Sequence, residues 1–318
     1  MAGRKETMSC RCSITRLIMT LALGLAGCAP AVATTASAPA PISLTDGSGQ
    51  NVTLNQPARR VLSLAPSNTE ILFAVGAGSQ VIGRDSFSDY PAEAAKVADI
   101  GGGFTALNTE LILSKKPDLV LASPLTPPEQ IADLKNVGLT VFVLPNPQSF
   151  DELYTNLRTV GTLTGHEDQA NTLVETLKRR VDTVRVAVAK TMERPVVYYE
   201  LDATDPNAPF TSGPGTFVDL LIKEAGGVNF GSELKGEWVQ VSVEELLARQ
   251  PDLIVLGDNT YGGVTAQQVA SRTGWDALNA VKEGKIFIFN DDLVSRPGPR
   301  MVDGLEAMAK LLHPDLFR

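Results

Sequence analysis

The chain has 318 residues, of which 43% are hydrophobic and 20% charged, with a formal charge of −8 at pH 7. That is a globular composition, long enough for one large core or two lobes of ordinary domain size. The excess of acidic residues argues against nucleic-acid or anionic-membrane binding, and no run beyond the first 28 residues approaches the roughly 18–20 apolar residues of a membrane span.

In chain order, Arg4, Lys5, Arg11 and Arg16 make a basic start, Leu17–Leu25 (LIMTLALGL) an apolar stretch too short to cross a bilayer, and Leu25-Ala26-Gly27-Cys28 a small-residue end. This predicts a secretory signal over residues 1–27. It resembles a bacterial lipoprotein signal, in which Cys28 becomes the lipidated first residue. Cys10 and Cys12 fall in the segment to be removed, so no disulfide is expected. The remainder carries 24 basic residues against 35 acidic. Residues 28–41, small and proline-rich, read as a flexible tether.

Ile42–Leu54 alternates around Asp-Gly-Ser-Gly and reads as a hairpin. Strands are then predicted at Val61–Ala65, Val81–Gly83, Leu119–Ala122 and Thr140–Leu144, with helices at Asn68–Val75, Asn108–Ser114, Pro128–Val137 and Phe150–Leu163. Glu167–Lys190 lacks Gly and Pro, and Leu173, Leu177, Val181, Val184 and Val188 recur at three- and four-residue spacing, so one long helix is expected there. Afterwards strands Val196–Leu201, Leu253–Leu256 and Ile286–Phe289 alternate with helices Thr216–Ala225, Val243–Ala248 and Arg300–Leu312. Strand–helix alternation predicts parallel sheets covered on both faces. The expected fold class is therefore α/β, with two Rossmann-like lobes over residues 42–166 and 193–318 joined by an interlobe helix at 167–192.

A repeat supports that division. Leu107–Leu121 (LNTELILSKKPDLVL) and Val241–Val255 (VSVEELLARQPDLIV) share a glutamate, an apolar helical face and Pro-Asp-Leu, with Pro117 and Pro251 134 positions apart. The repeat sets Glu110 and Glu244 at matching points. Each lies in a predicted first helical turn, where a carboxylate also favours the helix dipole, and Ser242 with Glu245 fits a capping box.

Motifs for catalysis are missing: the sequence has no G-x-S-x-G, H-E-x-x-H, Walker loop or C-x-x-C, and an enzyme is not expected. An envelope enzyme would have to rely on Asp291, Asp292 and Glu237. His166 and His313, the two histidines, are expected as solvated loop residues, which leaves no His/Cys site for a transition metal. Ser212–Thr216 (SGPGT) reads as a strand-to-helix turn with its amides towards a cleft.

Aromatic residues stand instead where loops leave the carboxyl ends of strands. Phe87 and Tyr90 follow Val81–Gly83, while Phe104 and Trp238 each lie six residues before a repeat glutamate. Tyr198 and Tyr199 close a strand, and Asp292 and Arg296 follow Ile286–Phe289. Ligands of open α/β sheets bind at that end, so these residues can form stacking walls. Trp275, with Leu278 and Val281, is expected in the core.

Residues 59–78, the DSFSDYP segment at 85–91, both repeats, 211–230, 274–287 and 295–308 together resemble the cobalamin, haem and ferric-siderophore group of ABC-importer substrate-binding proteins. The resemblance covers about 42–318. It implies the class III periplasmic-binding-protein fold, a ligand held between the lobes, and Glu110 and Glu244 docking on arginines of a two-fold permease with its ATPase subunits. It also implies no cofactor beyond the transported ligand, no resident metal, a monomer, and a place in the periplasm or on the outer face of the cytoplasmic membrane, anchored by lipid alone. Within the group the chain is most similar to vitamin B12-binding members, through Ser86–Pro91, Phe104, Trp238–Ser242 and Asp292 with Arg296. The ligand so implied is a cobalt corrinoid, with Phe87, Tyr90, Phe104, Tyr199, Trp238, Asp292 and Arg296 as its contacts. It departs at Ser123, where enteric cobalamin-binding members have a tryptophan. The alternatives are haem, with Tyr90, Tyr199 or Tyr261 on iron, and a ferric siderophore, with Arg84 and Arg296 against an anionic chelate. A sensor receptor acting on a signalling partner is a further possibility.

Overall fold

The computed structural model describes residues 40–317 apart from Phe104. The expected signal, Cys28, most of the tether and Phe104 therefore lie outside the described residues. The hairpin forms from β1 (Ile42–Thr45) and antiparallel β2 (Asn51–Leu54). Asp46 closes its turn by accepting the Ser48 amide at 2.9 Å and the Gln50 amide at 3.0 Å. The Gly47 amide donates to the Val143 carbonyl at 2.7 Å. The hairpin thus covers an edge of the first sheet, whose open N–H and C=O groups would otherwise invite pairing.

The first lobe continues through β3 (Val61–Ser63), α1 (Pro66–Ala74), β4 (Val81–Arg84), α2 (Thr109–Ser114), β5 (Leu119–Ala122), α3 (Pro128–Asn136), β6 (Val141–Val143) and α4 (Phe150–Thr164). Its sheet has the order β4-β3-β5-β6, parallel throughout. Parallel strands require crossover helices, which cover both faces and account for the complete burial of β5. Helix α4 shows the local rules at work. Ser149 caps its start, Leu153, Leu157 and Val160 bury one face, and Gly165 ends it in the left-handed region at φ 76°.

After α5 (Glu167–Val188) come β7 (Val196–Asp202), β8 (Phe210–Ser212), α6 (Phe217–Glu224), β9 (Val228–Asn229), β10 (Trp238–Gln240), α7 (Val243–Arg249), β11 (Leu253–Leu256), α8 (Asn259–Gly262), α9 (Ala266–Ala270), α10 (Asn279–Lys282), β12 (Ile286–Ile288), α11 (Asp292–Ser295) and α12 (Met301–Leu312). The sheet runs β10-β8-β7-β11-β12, with β9 also on β7. Strands β7, β11 and β12 are parallel, as the alternation of elements predicts, and the unpredicted β9 also pairs parallel with β7. Two strands absent from that expectation, β8 and β10, add an antiparallel edge. Residues 203–209 are too few to carry a crossover helix, so the chain turns back beside β7. Trp275 is buried in this lobe, its ring 6.1 Å from Tyr198 and under the Arg272 guanidinium at 4.6 Å.

Helix α5 spans about 33 Å at 1.5 Å per residue. Ala170, Val174, Leu177, Val181, Val184 and Val188 form its buried stripe. One apolar cluster runs from Ile71, Leu119 and Phe142 of the first lobe, under α5, to Val255, Leu305 and Met308 of the second. Arg180 fastens α5 to α12 through Glu306 at 2.8 and 2.7 Å and Asp303 at 2.5 Å, and Arg185 fastens it to Glu224 of α6 at 2.7 Å. The histidine expectation needs correcting. His313 is buried where α12 ends, against Gly226, because the turn at Gly226 (φ 84°) leaves just enough room for its ring. His166 is half-buried, its Nδ1 3.0 Å from the Thr164 carbonyl.

Candidate functional site

A cavity of about 710 Å³ opens between the lobes. Several parallel strands deliver their carboxyl ends there: Ala65–Ser67 follow β3, Ser123 and Leu125 follow β5, and Asn146–Gln148 follow β6. From the second lobe, Tyr261 follows β11, and Asp291, Asp292 and Ser295–Pro297 follow β12. The SGPGT segment is a strand-to-helix turn, as expected. Gly215, Thr216 and Phe217 line the cavity, and Thr216 caps α6 by accepting the Asp219 amide at 3.1 Å.

The walls are apolar. Phe87 comes from the loop after β4, while Trp238 sits on β10 rather than on a loop. The Trp238 ring lies 5.6 Å from that of Phe217, tilted by 54°. Phe217 was not among the residues expected at the site, although its place at the first position of a helix after SGPGT is the signal that could have found it. Leu125, 83% exposed, stands at the first-lobe rim and was also missed. Ser123 adds no ring; its Oγ accepts the Leu125 amide at 3.3 Å and so holds that rim in place.

Charge gathers on the floor around Arg296, the one basic residue among the described lining residues. Its Nη1 meets Asp89 at 2.5 Å, its Nε meets Asp292 at 3.0 Å, and its Nη2 donates to the Tyr261 hydroxyl at 2.9 Å. Glu70 of α1 lies 3.6 Å away and is gripped by Arg300 at 2.9 and 2.5 Å. Burial pushes the Glu70 carboxyl up against the pull of both guanidiniums. Burial works the same way on Asp89, but there the hydrogen bond and charge of Arg296 prevail and hold its carboxyl low. Asp291, which accepts the Tyr199 hydroxyl at 2.8 Å, is pushed up by burial. Glu237, Asp291 and Asp292 also line the cavity, so its charged groups are mostly acidic.

Behind α8 lies a second buried cluster. Arg272 holds Glu200 at 2.6 and 2.8 Å, with Asp258 beside it. Neither carboxylate oxygen of Asp258 has a hydrogen-bond partner among the described residues. Burial, then the negative charge of Glu200, pushes the Asp258 carboxyl up to about 8.

Of the residues expected to meet the ligand, Phe87, Trp238, Asp292 and Arg296 are brought together around the cavity. Tyr199 is not: it lies inside β7, fully buried, and reaches the wall only through Asp291. Tyr90 stands off the cavity with its ring under the Arg300 guanidinium at 4.0 Å. Arg84 is likewise away from it, paired with Asp99 at 3.2 Å. Among the described residues no group of three or more His, Cys, Asp or Glu is arranged to hold a metal ion, and no helix is long and apolar enough to cross a membrane.

Glu110 and Glu244 sit in the first turns of α2 and α7, both exposed and without an ion-pair partner among the described residues. Asn108 and Ser242 cap these helices, accepting the Leu111 amide at 3.0 Å and the Glu245 amide at 3.2 Å. The expected capping box does not close, because Glu245 turns to Arg249 at 3.5 Å.

Comparisons with known proteins agree with this geometry. A family model described as periplasmic binding protein matches residues 61–293. An uncharacterised ABC transporter substrate-binding lipoprotein of Bacillus subtilis, YvrC, is 36% identical over 284 residues, 87% of each chain. Among solved structures, a possible iron-binding (periplasmic solute-binding) protein of Staphylococcus epidermidis is 31% identical with a TM-score of 0.71, covering 81% of this chain and 100% of its own. The periplasmic vitamin B12 binding protein BtuF of Vibrio cholerae is 26% identical with a TM-score of 0.70, covering 82% of this chain and 99% of its own.

Proposed function

The chain belongs to the periplasmic binding protein family, and from that premise we propose that it captures a cobalt corrinoid between its lobes. It is a substrate-binding protein of an ABC importer, a carrier rather than an enzyme, and its partners are a small-molecule ligand and a permease with its ATPase. The finer reading is a monomer anchored through lipidated Cys28 outside the cytoplasmic membrane. Glu110 and Glu244 then present charge to the permease, and Phe87, Trp238, Asp292 and Arg296 frame the ligand.

One observation carries the corrinoid reading: the cavity is walled by Phe87, Phe217 and Trp238, and the single arginine among its described lining residues is already met by three carboxylates. Haem, with its propionates, and ferric catecholate or carboxylate siderophores are anions that call for uncommitted guanidinium or ammonium groups. A corrin instead carries its cationic cobalt in a ring fringed with neutral amides. Apolar walls suit such a ring, and Ser67, Asn146, Gln148 and Ser295 supply hydrogen-bonding groups around it.

Titration of the purified mature domain by calorimetry and absorbance tests this. Cyanocobalamin is expected to bind in the micromolar range or tighter, and anionic ferric catecholates not at all. Binding of haemin alone would replace the proposal with the haem reading. That second reading draws on Tyr261, whose hydroxyl stands at the cavity beside Arg296. Membrane partitioning of the full chain, compared with Cys28→Ser, tests the anchor.

A further inference from the structure

The contacts of Arg296 extend to a loop of the opposite lobe. Asp89 lies two residues beyond Phe87 and 207 residues from Arg296 in sequence, yet its Oδ1 takes the Arg296 Nη1 at 2.5 Å. The two partners differ in setting. The Arg296 side chain is 7% exposed and is also held by Asp292 and Tyr261, whereas that of Asp89 is 66% exposed. Arg296 is the fixed post, and Asp89 is the group that gains order by reaching it.

The loop is tied at its two ends in different ways. At the near end, Asp85 accepts the Phe87 amide at 2.8 Å and the Ser88 hydroxyl. The Ser88 Oγ lies 2.7 Å from the Thr69 Oγ1 on α1, inside the same lobe. At the far end both ties come from across the cleft: Arg296 on Asp89, and Arg300 over the Tyr90 ring at 4.0 Å. Phe87 belongs to the near set through its amide and stands two residues before the far set, its ring against Gly103, where an added Cβ would fall 2.5 Å from the Phe87 Cε2.

We propose that Asp89 is a positioning residue for the cleft: by pairing with Arg296 of the second lobe, it sets where Phe87 of the first lobe stands against bound ligand. Asp89 lies outside the cavity lining, so it acts through Phe87 and not by its own contact. The proposal rests on the reading of the cavity as the ligand site and uses cyanocobalamin as its probe.

Two measurements test it. Dissociation of cyanocobalamin is followed for the unaltered protein, Asp89→Ala, Phe87→Ala and the double variant. Asp89→Ala is expected to release the probe about three- to tenfold faster, as fits the loss of one partly exposed ion pair. In the Phe87→Ala background the same change is expected to do nothing further, and Asp89→Glu to restore slow release. Additive effects of the two alanine changes would overturn the proposal, since Asp89 would then act without Phe87. The second measurement needs no ligand: amide hydrogen exchange across residues 86–90 is expected to quicken in Asp89→Ala while that of Thr109–Ser114 stays unchanged. Unchanged exchange at 86–90 overturns the proposal whatever the cavity holds. Should cyanocobalamin fail to bind at all, the corrinoid reading falls and the exchange result alone decides the role of Asp89.

Discussion

Lys116 and Gln250 take the same unusual backbone, φ 47° and 46°, and among the described residues they are the two non-glycines with positive φ. Each stands directly before the proline of a Pro-Asp-Leu repeat. The aspartates that follow repeat as well. Asp118 accepts the amides of Arg59 and Arg60 at 2.9 and 3.0 Å, and Asp252 accepts that of Val196 at 2.7 Å. In both lobes the motif turns a helix sharply into a strand and ties that turn to the entry of the neighbouring strand.

An L residue in the left-handed region costs of order 1 kcal/mol. The Lys116 side chain is exposed, so Lys116→Gly is expected to raise the urea midpoint by the equivalent of about 0.5–1 kcal/mol. Gln250→Gly is not expected to help, because the Gln250 amide accepts from Asn279 at 2.9 Å and donates to the Leu247 carbonyl at 3.0 Å. Asp118→Ala should cost about 1–3 kcal/mol, more than Asp252→Ala, since it strands two amides rather than one. Reversal of that order would remove this account of the motif.

Docking is tested by charge reversal. Glu110→Arg with Glu244→Arg touches two exposed carboxylates without ion-pair partners among the described residues. Transport in cells should be abolished, while the affinity of the purified protein for its ligand and its thermal midpoint stay within error. A matching loss of affinity would place these residues with the pocket or the fold.

The aromatic wall makes its own prediction. Trp238, 44% exposed and packed on Phe217, is expected to lose fluorescence when a corrinoid stacks on it. Trp238→Ala should weaken binding by about 1–3 kcal/mol, roughly five- to a hundredfold. Trp275 is buried among Tyr198 and Arg272, so its emission should stay unquenched in that variant. Unchanged affinity in Trp238→Ala would exclude the second-lobe wall from the site.

Stability should fall as the pH rises from about 4 to about 8. Burial and the neighbouring Glu200 raise the Asp258 carboxyl from an ordinary 3.8 to about 8, so the folded chain binds a proton that the unfolded chain has released. This contribution is fully present below about pH 4 and is lost as the pH rises through 8. Asp258→Asn mimics the protonated group and should flatten the urea midpoint between pH 5 and 8. An undiminished slope in that variant would show that the proton resides elsewhere.

The lobes, the long helix and the strand alternation were legible because periodicity and caps are local, as at Ser149, Gly165 and the stripe on α5. The antiparallel pair β8 and β10 was not, since each strand is three residues long and neither alternates clearly. At the site, Phe87 could be placed from its loop and Trp238 from its spacing before Glu244, although Trp238 proved to lie on a strand. Tyr199 could not, because a tyrosine inside a strand faces either side and only tertiary packing decides which. The charge network was hidden for a plainer reason: Arg296 finds Asp89 and Arg300 finds Glu70 across 207 and 230 residues. Asp258 is similar, for nothing in its neighbours announces that Glu200 will be buried beside it.

The antiparallel edge of the second lobe has a consequence for cargo. Trp238 is carried on β10, hydrogen-bonded to β8, while Phe87 stands on an irregular loop with no matching strand behind it. On the proposed reading, two halves that share a repeat thus meet their guest with unlike hands, one ring carried on a strand and the other on a loop. A flat molecule with two different faces would rest in such a grip one way up, so every molecule handed on would leave with the same face leading.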